Sequence, residues 1–216
     1  MFTGIIQEIG IVKFAQKKGD SLLIQIESPK SSKLLKVGGS ININGACQSA
    51  IKISPVSSDS GSWFEVQATS ETISRTNFKF LQAGDRVNLE LPLSLNDPLG
   101  GHLVTGHIDD TGRITDIKPS GGSILMRIVF KPEYNCYLVE KGSVAIDGIS
   151  LTVFDVETEC FTISLIPETI ERTNLKFRNI GDVVNLEFDQ IGKYIEKFMK
   201  KDGKGLTMDF LKRHGF

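Results

Sequence analysis

The sequence predicts a mainly β protein: two similar six-stranded Greek-key β-barrels in tandem plus a C-terminal α-helix. Three observations carry this reading: an internal repeat, short alternating apolar runs between glycine-rich turns, and one helical stripe after the second copy. The repeat is direct. Glu71-Thr-Ile-Ser-Arg-Thr-Asn77 returns as Glu168-Thr-Ile-Glu-Arg-Thr-Asn174, and Gly84-Asp-Arg-Val-Asn-Leu-Glu90 returns at the same spacing as Gly181-Asp-Val-Val-Asn-Leu-Glu187, each with a single mismatch. Self-similarity of this kind marks a duplicated structural unit.

The match extends upstream, where Thr3-Gly4, Gly39-Ser40 and Asn44-Gly45 align with Thr105-Gly106, Gly142-Ser143 and Asp147-Gly148. The copies span roughly 1–97 and 98–190, leaving 191–216 as a C-terminal segment. The second copy is shorter by about one hairpin tip: the turn-rich Ser54-Pro-Val-Ser-Ser-Asp-Ser-Gly61 is reduced to the region of Val156 to Glu159.

Within each copy, runs such as Leu22 to Ile26, Ile124 to Phe130 and Val183 to Phe188 alternate or are β-branched, the pattern of strands. The segments from Ser28-Pro29 and Lys131-Pro132 each place proline where a helix can start without its N–H, predicting one short helix per unit. Many short strands in a unit of about 95 residues favour a closed barrel, because closure removes exposed edges. After the second copy, Ile191, Tyr194, Ile195, Phe198 and Met199 fall on one helical face, which needs either its own barrel or another chain as a partner. The tail from Gly205 to Phe216 predicts a further short apolar-faced helix.

Composition narrows the function. Twenty-five basic against 26 acidic residues give a net charge of -1, without the basic excess that a phosphate backbone demands, so nucleic acid is not expected as a partner. The start lacks a basic leader and a cleavage site, and no apolar run approaches membrane-spanning length, so a soluble cytoplasmic protein with no membrane partner is expected. Cys47, Cys136 and Cys160 are odd in number and unclustered, which argues for reduced thiols rather than disulfides or zinc.

Four segments in order, Met1-Phe-Thr-Gly-Ile-Ile6, Gly100-Gly-His-Leu-Val-Thr-Gly-His-Ile-Asp109, Ile146-Asp-Gly-Ile-Ser-Leu-Thr-Val153 and Ile166-Pro-Glu-Thr-Ile-Glu-Arg-Thr-Asn174, together resemble the riboflavin synthase family. The likeness covers nearly the whole chain, tail included. It implies a cofactor-free and metal-free transferase in riboflavin biosynthesis, in which two molecules of 6,7-dimethyl-8-ribityllumazine exchange a four-carbon unit to give riboflavin and 5-amino-6-ribitylaminouracil. It also implies a homotrimer held by the C-terminal helix, with each site formed between the first barrel of one subunit and the second of a neighbour. Association with lumazine synthase is left open.

The resemblance places first-copy ligand contacts at Gly4, Ile5 and Ile6, at Ser40, at Cys47, Gln48 and Ser49, and at Gln67, Ala68, Thr69, Ser70, Glu71 and Thr72. The second copy supplies Gly106, His107 and Ile108, then Lys141, then Ser150, Leu151 and Thr152, and finally Ile166, Pro167, Glu168, Thr169, Ile170 and Glu171. Where the family reads Asn-Gly-x-Cys-Leu-Thr-Val, this chain has Asn44-Gly-Ala-Cys-Gln-Ser-Ala50. Ser49 keeps a hydroxyl, while Gln48 replaces an apolar contact.

A dismutation needs two similar but non-equivalent positions, so chemistry should concentrate where the aligned copies differ: His107 against Ile5, Ser150 against Cys47, Asp147 against Asn44. The lumazine 7-methyl group is acidic because its anion delocalises, so holding, orienting and proton transfer suffice. The expected catalytic set is therefore His107 and Asp147 for proton movement and Cys47 or Ser40 at the partner lumazine, to which the resemblance adds Phe2.

Each has a plainer reading. His107 fits a satisfied barrel histidine, Cys47 a small hydrophobe, Lys141 a solvated charge, and Glu71 and Glu168 helix starts. His102 with His107 lacks the third ligand that a metal site needs. Two rival functions stand beside the family reading. One is a non-catalytic lumazine- or flavin-binding antenna protein on the same duplicated fold. The other is a flavin-dependent reductase, disfavoured because no Gly-x-Gly-x-x-Gly follows a strand.

Overall fold

A computed structural model describes residues 1–54 and 61–201, with side chains to 199. Most of the long hairpin tip (55–60) and the expected tail helix (205–216) lie outside the described residues.

The first copy forms β1 (Glu8–Lys18), β2 (Ser21–Glu27), α1 (Ser31–Leu34), β3 (Ser40–Ile43), β4 (Ala46–Ile53), β5 (Trp63–Ala68), α2 (Ser70–Arg75) and β6 (Arg86–Glu90). The second forms β7 (Asp110–Ser120), β8 (Ser123–Val129), β9 (Ser143–Ile146), β10 (Ile149–Phe154), β11 (Cys160–Leu165), α3 (Pro167–Arg172) and β12 (Val183–Phe188), followed by α4 (Gln190–Lys201). Each set of six strands closes into an antiparallel barrel, ordered β1-β2-β5-β4-β3-β6 and β7-β8-β11-β10-β9-β12. Full closure leaves neither sheet with a free edge. The duplication survives in detail: β1 and β7 have the same length and the same alternation of buried and exposed positions, and each slips register once against its hairpin partner, at Val12/Phe14 and at Ile114/Asp116.

Each barrel encloses its own core. Ile24, Ile26, Ile41, Ile43, Phe64, Val66 and Leu89 fill the first; Ile114, Ile128, Ile146, Phe161, Ile163, Leu186 and Phe188 fill the second. Burying such side chains contributes about 1.5–3 kcal/mol each.

The helices depart from expectation. The segment after Lys131 is a 3-10 helix (Pro132–Tyr137) rather than an α-helix. Its three-residue period suits the packing, because it stacks Tyr134 and Tyr137 over the same ring, Phe188, at 5.2 and 5.9 Å. The plainer reading of Glu71 and Glu168 as helix starts holds: each lies in the first turn of a short helix, α2 or α3, continued by a 3-10 turn (Asn77–Phe80, Asn174–Phe177). The helix α4 rests its Glu196 on the Tyr137 hydroxyl, 2.6 Å, while Ile191, Tyr194, Ile195, Phe198 and Met199 all remain 53–74% exposed. Its apolar face is therefore not spent on its own barrel. Among the described residues, no helix is long and apolar enough to cross a membrane.

Candidate functional site

Two hairpin tips meet between the barrels. Asn44-Gly45 and Asp147-Gly148 both have positive φ at each residue (46° and 86°, 45° and 81°), the two-residue turn that asparagine or aspartate followed by glycine favours. The tips touch: a Cβ on Gly148 would stand 2.7 Å from the Gly45 nitrogen.

Around them lies a closed polar network built from the repeated motifs. The Asn77 N–H donates to Asn185 Oδ1 and the Asn174 N–H to Asn88 Oδ1, both at 2.7 Å, and the Asn88 and Asn185 amides donate to the Asp147 and Asn44 carbonyls. Asp147 is fully buried and its carboxylate is engaged throughout. Oδ1 accepts from Asn185 N (2.8 Å) and Asn77 Nδ2 (3.0 Å); Oδ2 accepts from Asn174 Nδ2 (2.8 Å) and Arg178 (2.6 Å). A carboxylate so held has no lone pair facing a ligand, and the Asp147 charge in turn raises the Arg178 pKa. This differs from the proton-moving role expected of Asp147: the geometry makes it the anchor of the barrel–barrel joint.

The two opening segments meet at the joint between the barrels. They pair with each other at Phe2 and Val104, where Phe2 is wholly buried, a packing position rather than one that reaches a ligand. Each is then pinned by the last residue of a repeated motif. Glu90 accepts from Thr3 N (2.6 Å), Thr3 Oγ1 (2.7 Å) and Gly4 N (3.1 Å); Glu187 accepts from Thr105 N (2.6 Å), Thr105 Oγ1 (2.7 Å) and Gly106 N (3.0 Å). Burial raises both carboxyl pKa values, opposed by these hydrogen bonds.

Beyond the pins each segment crosses to the other copy's hairpin. The Ser150 N–H donates to the Gly4 carbonyl and the Cys47 N–H to the Gly106 carbonyl, both at 2.8 Å. Only glycine fits, because φ is +75° and +84° and a Cβ would lie 2.6 Å from Ser150 Cβ or 2.5 Å from Cys47 Cβ. Ile108 enters the first barrel's core, and Ile6 packs against the second's. The residues expected at one ligand position are therefore regrouped: Gly106, His107 and Ile108 join Cys47, while Gly4, Ile5 and Ile6 join Ser150.

A first cleft of about 300 Å³ results, lined by Ala46, Cys47, Gln48, Glu71, Thr72, Arg75, Thr76, Gly106, His107 and Ile108. Its histidine comes from the second copy and its thiol from the first. At the second copy's counterpart surface Ser150 meets Gly4, Leu151 shares a core with Ile6 and with Ile170 of α3, and His102 Nδ1 lies 2.7 Å from Ser150 Oγ. Burial lowers the His102 pKa, with the Asp189 charge acting against it. Sequence spacing does not reveal His102 as a site residue, since its serine partner lies 48 positions away.

The remaining expected positions lie outside the lining of the first cleft. Ser40 and Ser49 are cross-strand partners; Gln67 donates to Ser21 Oγ; Ala68 is buried; Thr69 caps α2, which Ser70 begins. Ile166 caps α3 with Pro167 at its first turn, Glu168 pairs with Arg172 and Glu171 with Lys176, and Thr169 accepts from the Thr173 hydroxyl. Ile170 packs on the core, Thr152 pairs with Ser143, and Lys141 is exposed in a turn at φ +65°. A larger cleft of about 600 Å³ lies elsewhere, between the turns at 77–86 and 174–183. Its Asp85 and Asp182 cap the turn amides of Gln82 and Asn179, so it is a polar seam of the joint.

Comparison with known proteins bears on this geometry. The lumazine binding domain family matches residues 3–92 and again 105–189. The riboflavin synthase of Actinobacillus pleuropneumoniae is 42% identical, and that of Bacillus amyloliquefaciens 36%, each alignment covering 100% of both chains. Among solved structures, LumP complexed with riboflavin superposes with a TM-score of 0.79 over 87% of this chain and 99% of that one, and its 24% identity speaks for the shared fold alone.

Proposed function

This chain belongs to the riboflavin synthase family, two lumazine-binding domains in one polypeptide, and from that premise we propose that it converts two molecules of 6,7-dimethyl-8-ribityllumazine into riboflavin and 5-amino-6-ribitylaminouracil. The observation that carries the reading is a cleft and a counterpart surface related to it by the duplication, similar in frame and different in their reactive groups: Cys47 with His107 in the cleft, Ser150 with His102 at its counterpart. One molecule gives up a four-carbon unit and an identical one takes it, so a site of this kind must bind the same ring twice and treat it differently.

The reaction is a group transfer. A base takes a proton from the 7-methyl group of one ring, and the resulting carbanion adds to a C=N carbon of the other, whose nitrogen takes up the electron pair and a proton; closure of the new carbocycle is accompanied by cleavage of the two C–N bonds that hold the four-carbon unit to its donor, which leaves as the ribitylaminouracil. On this reading His107, exposed at the rim of the first cleft, accepts or returns a proton, and Cys47 faces the ring held there. Ser150 and the neutral His102 imidazole orient the second ring. Holding two reactants in register supplies most of the rate gain, and proton transfer adds about 10²–10⁴-fold.

The apolar face of α4 supports self-association, and we assign it to a homotrimer that brings the first barrel of one subunit against the second of the next. The setting is the cytoplasm, with docking onto lumazine synthase as a further assembly. Expression in a bacterial strain that lacks riboflavin synthase tests the activity: growth without added riboflavin is expected. No growth despite soluble, lumazine-loaded protein points instead to the antenna reading.

A further inference from the structure

Gln48 and Leu151 occupy equivalent positions, the third residue after each hairpin turn, and both side chains are buried, at 8% and 9% exposure. The second copy has an aliphatic group there; the first has an amide. In a two-residue hairpin the pair flanking the turn is hydrogen-bonded and the next is not, so the N–H and C=O of Cys47 and of Ser150 turn away from their own ladder toward the clefts. Both N–H groups are taken, by the Gly106 and Gly4 carbonyls. The two carbonyls differ. Gln48 Nε2 donates to the Cys47 carbonyl at 2.6 Å, whereas Leu151 offers the Ser150 carbonyl no donor.

Burying an amide is costly unless its polar atoms are used, and Gln48 lines the first cleft. We infer that Gln48 distinguishes the two clefts as binding sites for one and the same ring, occupying one of the two lone pairs of the Cys47 carbonyl and adding its own amide oxygen as a further acceptor. At the second cleft the main-chain carbonyl of Ser150 is itself the acceptor for a ring N–H. This rests on the reading that both clefts bind the lumazine ring. Ala46 against Ile149 changes only the bulk of the buried wall, whereas Gln48 against Leu151 adds a polar group to it.

The test is calorimetric titration of the full chain with riboflavin as probe. The native protein is expected to show two affinities. Gln48→Leu brings the two closer by about 2- to 10-fold, the worth of one hydrogen bond, and Leu151→Gln does the same from the other side. Gln48→Met, which keeps the side-chain length without the amide, reproduces the effect if Gln48→Leu folds poorly. Two equal native affinities, or Gln48→Leu and Gln48→Met proteins that retain both native values, overturn the inference alone. A native protein that binds no riboflavin overturns the lumazine-binding reading beneath it.

Discussion

Replacing Asp147 by asparagine tests whether this residue joins the barrels or moves protons. Asparagine suits the backbone, since Asn44 holds the equivalent turn position at φ 46° where Asp147 has 45°. What changes is the head group: one acceptor oxygen becomes a donor facing donors, and Arg178, whose side chain is only 21% exposed, loses its counter-charge. Breaking a buried ion pair by removing one partner costs about 3–5 kcal/mol. At about 2–4 °C per kcal/mol for a chain of this size, the melting temperature should fall by roughly 6–20 °C. The duplication supplies the rescue. Where the second copy has Asp147 with Arg178, the first has Asn44 with Leu81 at the aligned positions. Asp147→Asn combined with Arg178→Leu should therefore regain at least half of the lost stability in a thermal melt, with turnover retained by the folded protein. A Asp147→Asn protein that melts like the native one and has lost turnover would refute the structural assignment and restore Asp147 to the chemistry.

Three further outcomes are expected. Gly106→Ala, forced against Cys47 Cβ at 2.5 Å and φ +84°, should lower the melting point by several degrees and abolish binding at the first cleft; Gly19→Ala, with φ +61° and nothing within 4 Å, should cost only the left-handed strain of about 1–2 kcal/mol. For His102, whose pKa burial holds below 6.5, NMR should find a midpoint under that value, lowered further by Asp189→Asn. Because the unfolded imidazole binds its proton first, this contribution to stability is complete above the unfolded pKa and is lost as pH falls below it, so His102→Gln should flatten the acid side of the stability curve. On α4, Ile195→Asp with Phe198→Asp should reduce the assembly to single chains in light scattering while each barrel keeps its melting transition; an unchanged mass would remove α4 from the interface.

Much of the fold was legible because strand alternation and turn chemistry are local. Asn44-Gly45 and Asp147-Gly148 announce tight hairpins in any context, and the runs 22–26, 124–130 and 183–188 fall inside β2, β8 and β12 apart from the last residue of one. The purpose of the strongest signal was not legible. Asn77, Asn174, Asn88 and Asn185 recur in the two copies because they bond across the joint, Asn174 reaching Asn44 at a separation of 130 positions. Glu90 and Glu187 recur because each pins an opening segment. Periodicity gives no hint that each of those segments reaches the other copy's hairpin, so it does not show that His107, the counterpart of Ile5, shares a cleft with Cys47. His102 was hidden for the same reason, its serine lying on another strand.

If the two copies treat one substrate in two ways, the stoichiometry of the reaction shows it. Purified protein incubated with 6,7-dimethyl-8-ribityllumazine and followed by chromatography should consume two lumazines for each riboflavin formed, with one ribitylaminouracil appearing alongside. Lumazine recovered unchanged from the protein, or riboflavin formed without an equal amount of the uracil, would contradict the account.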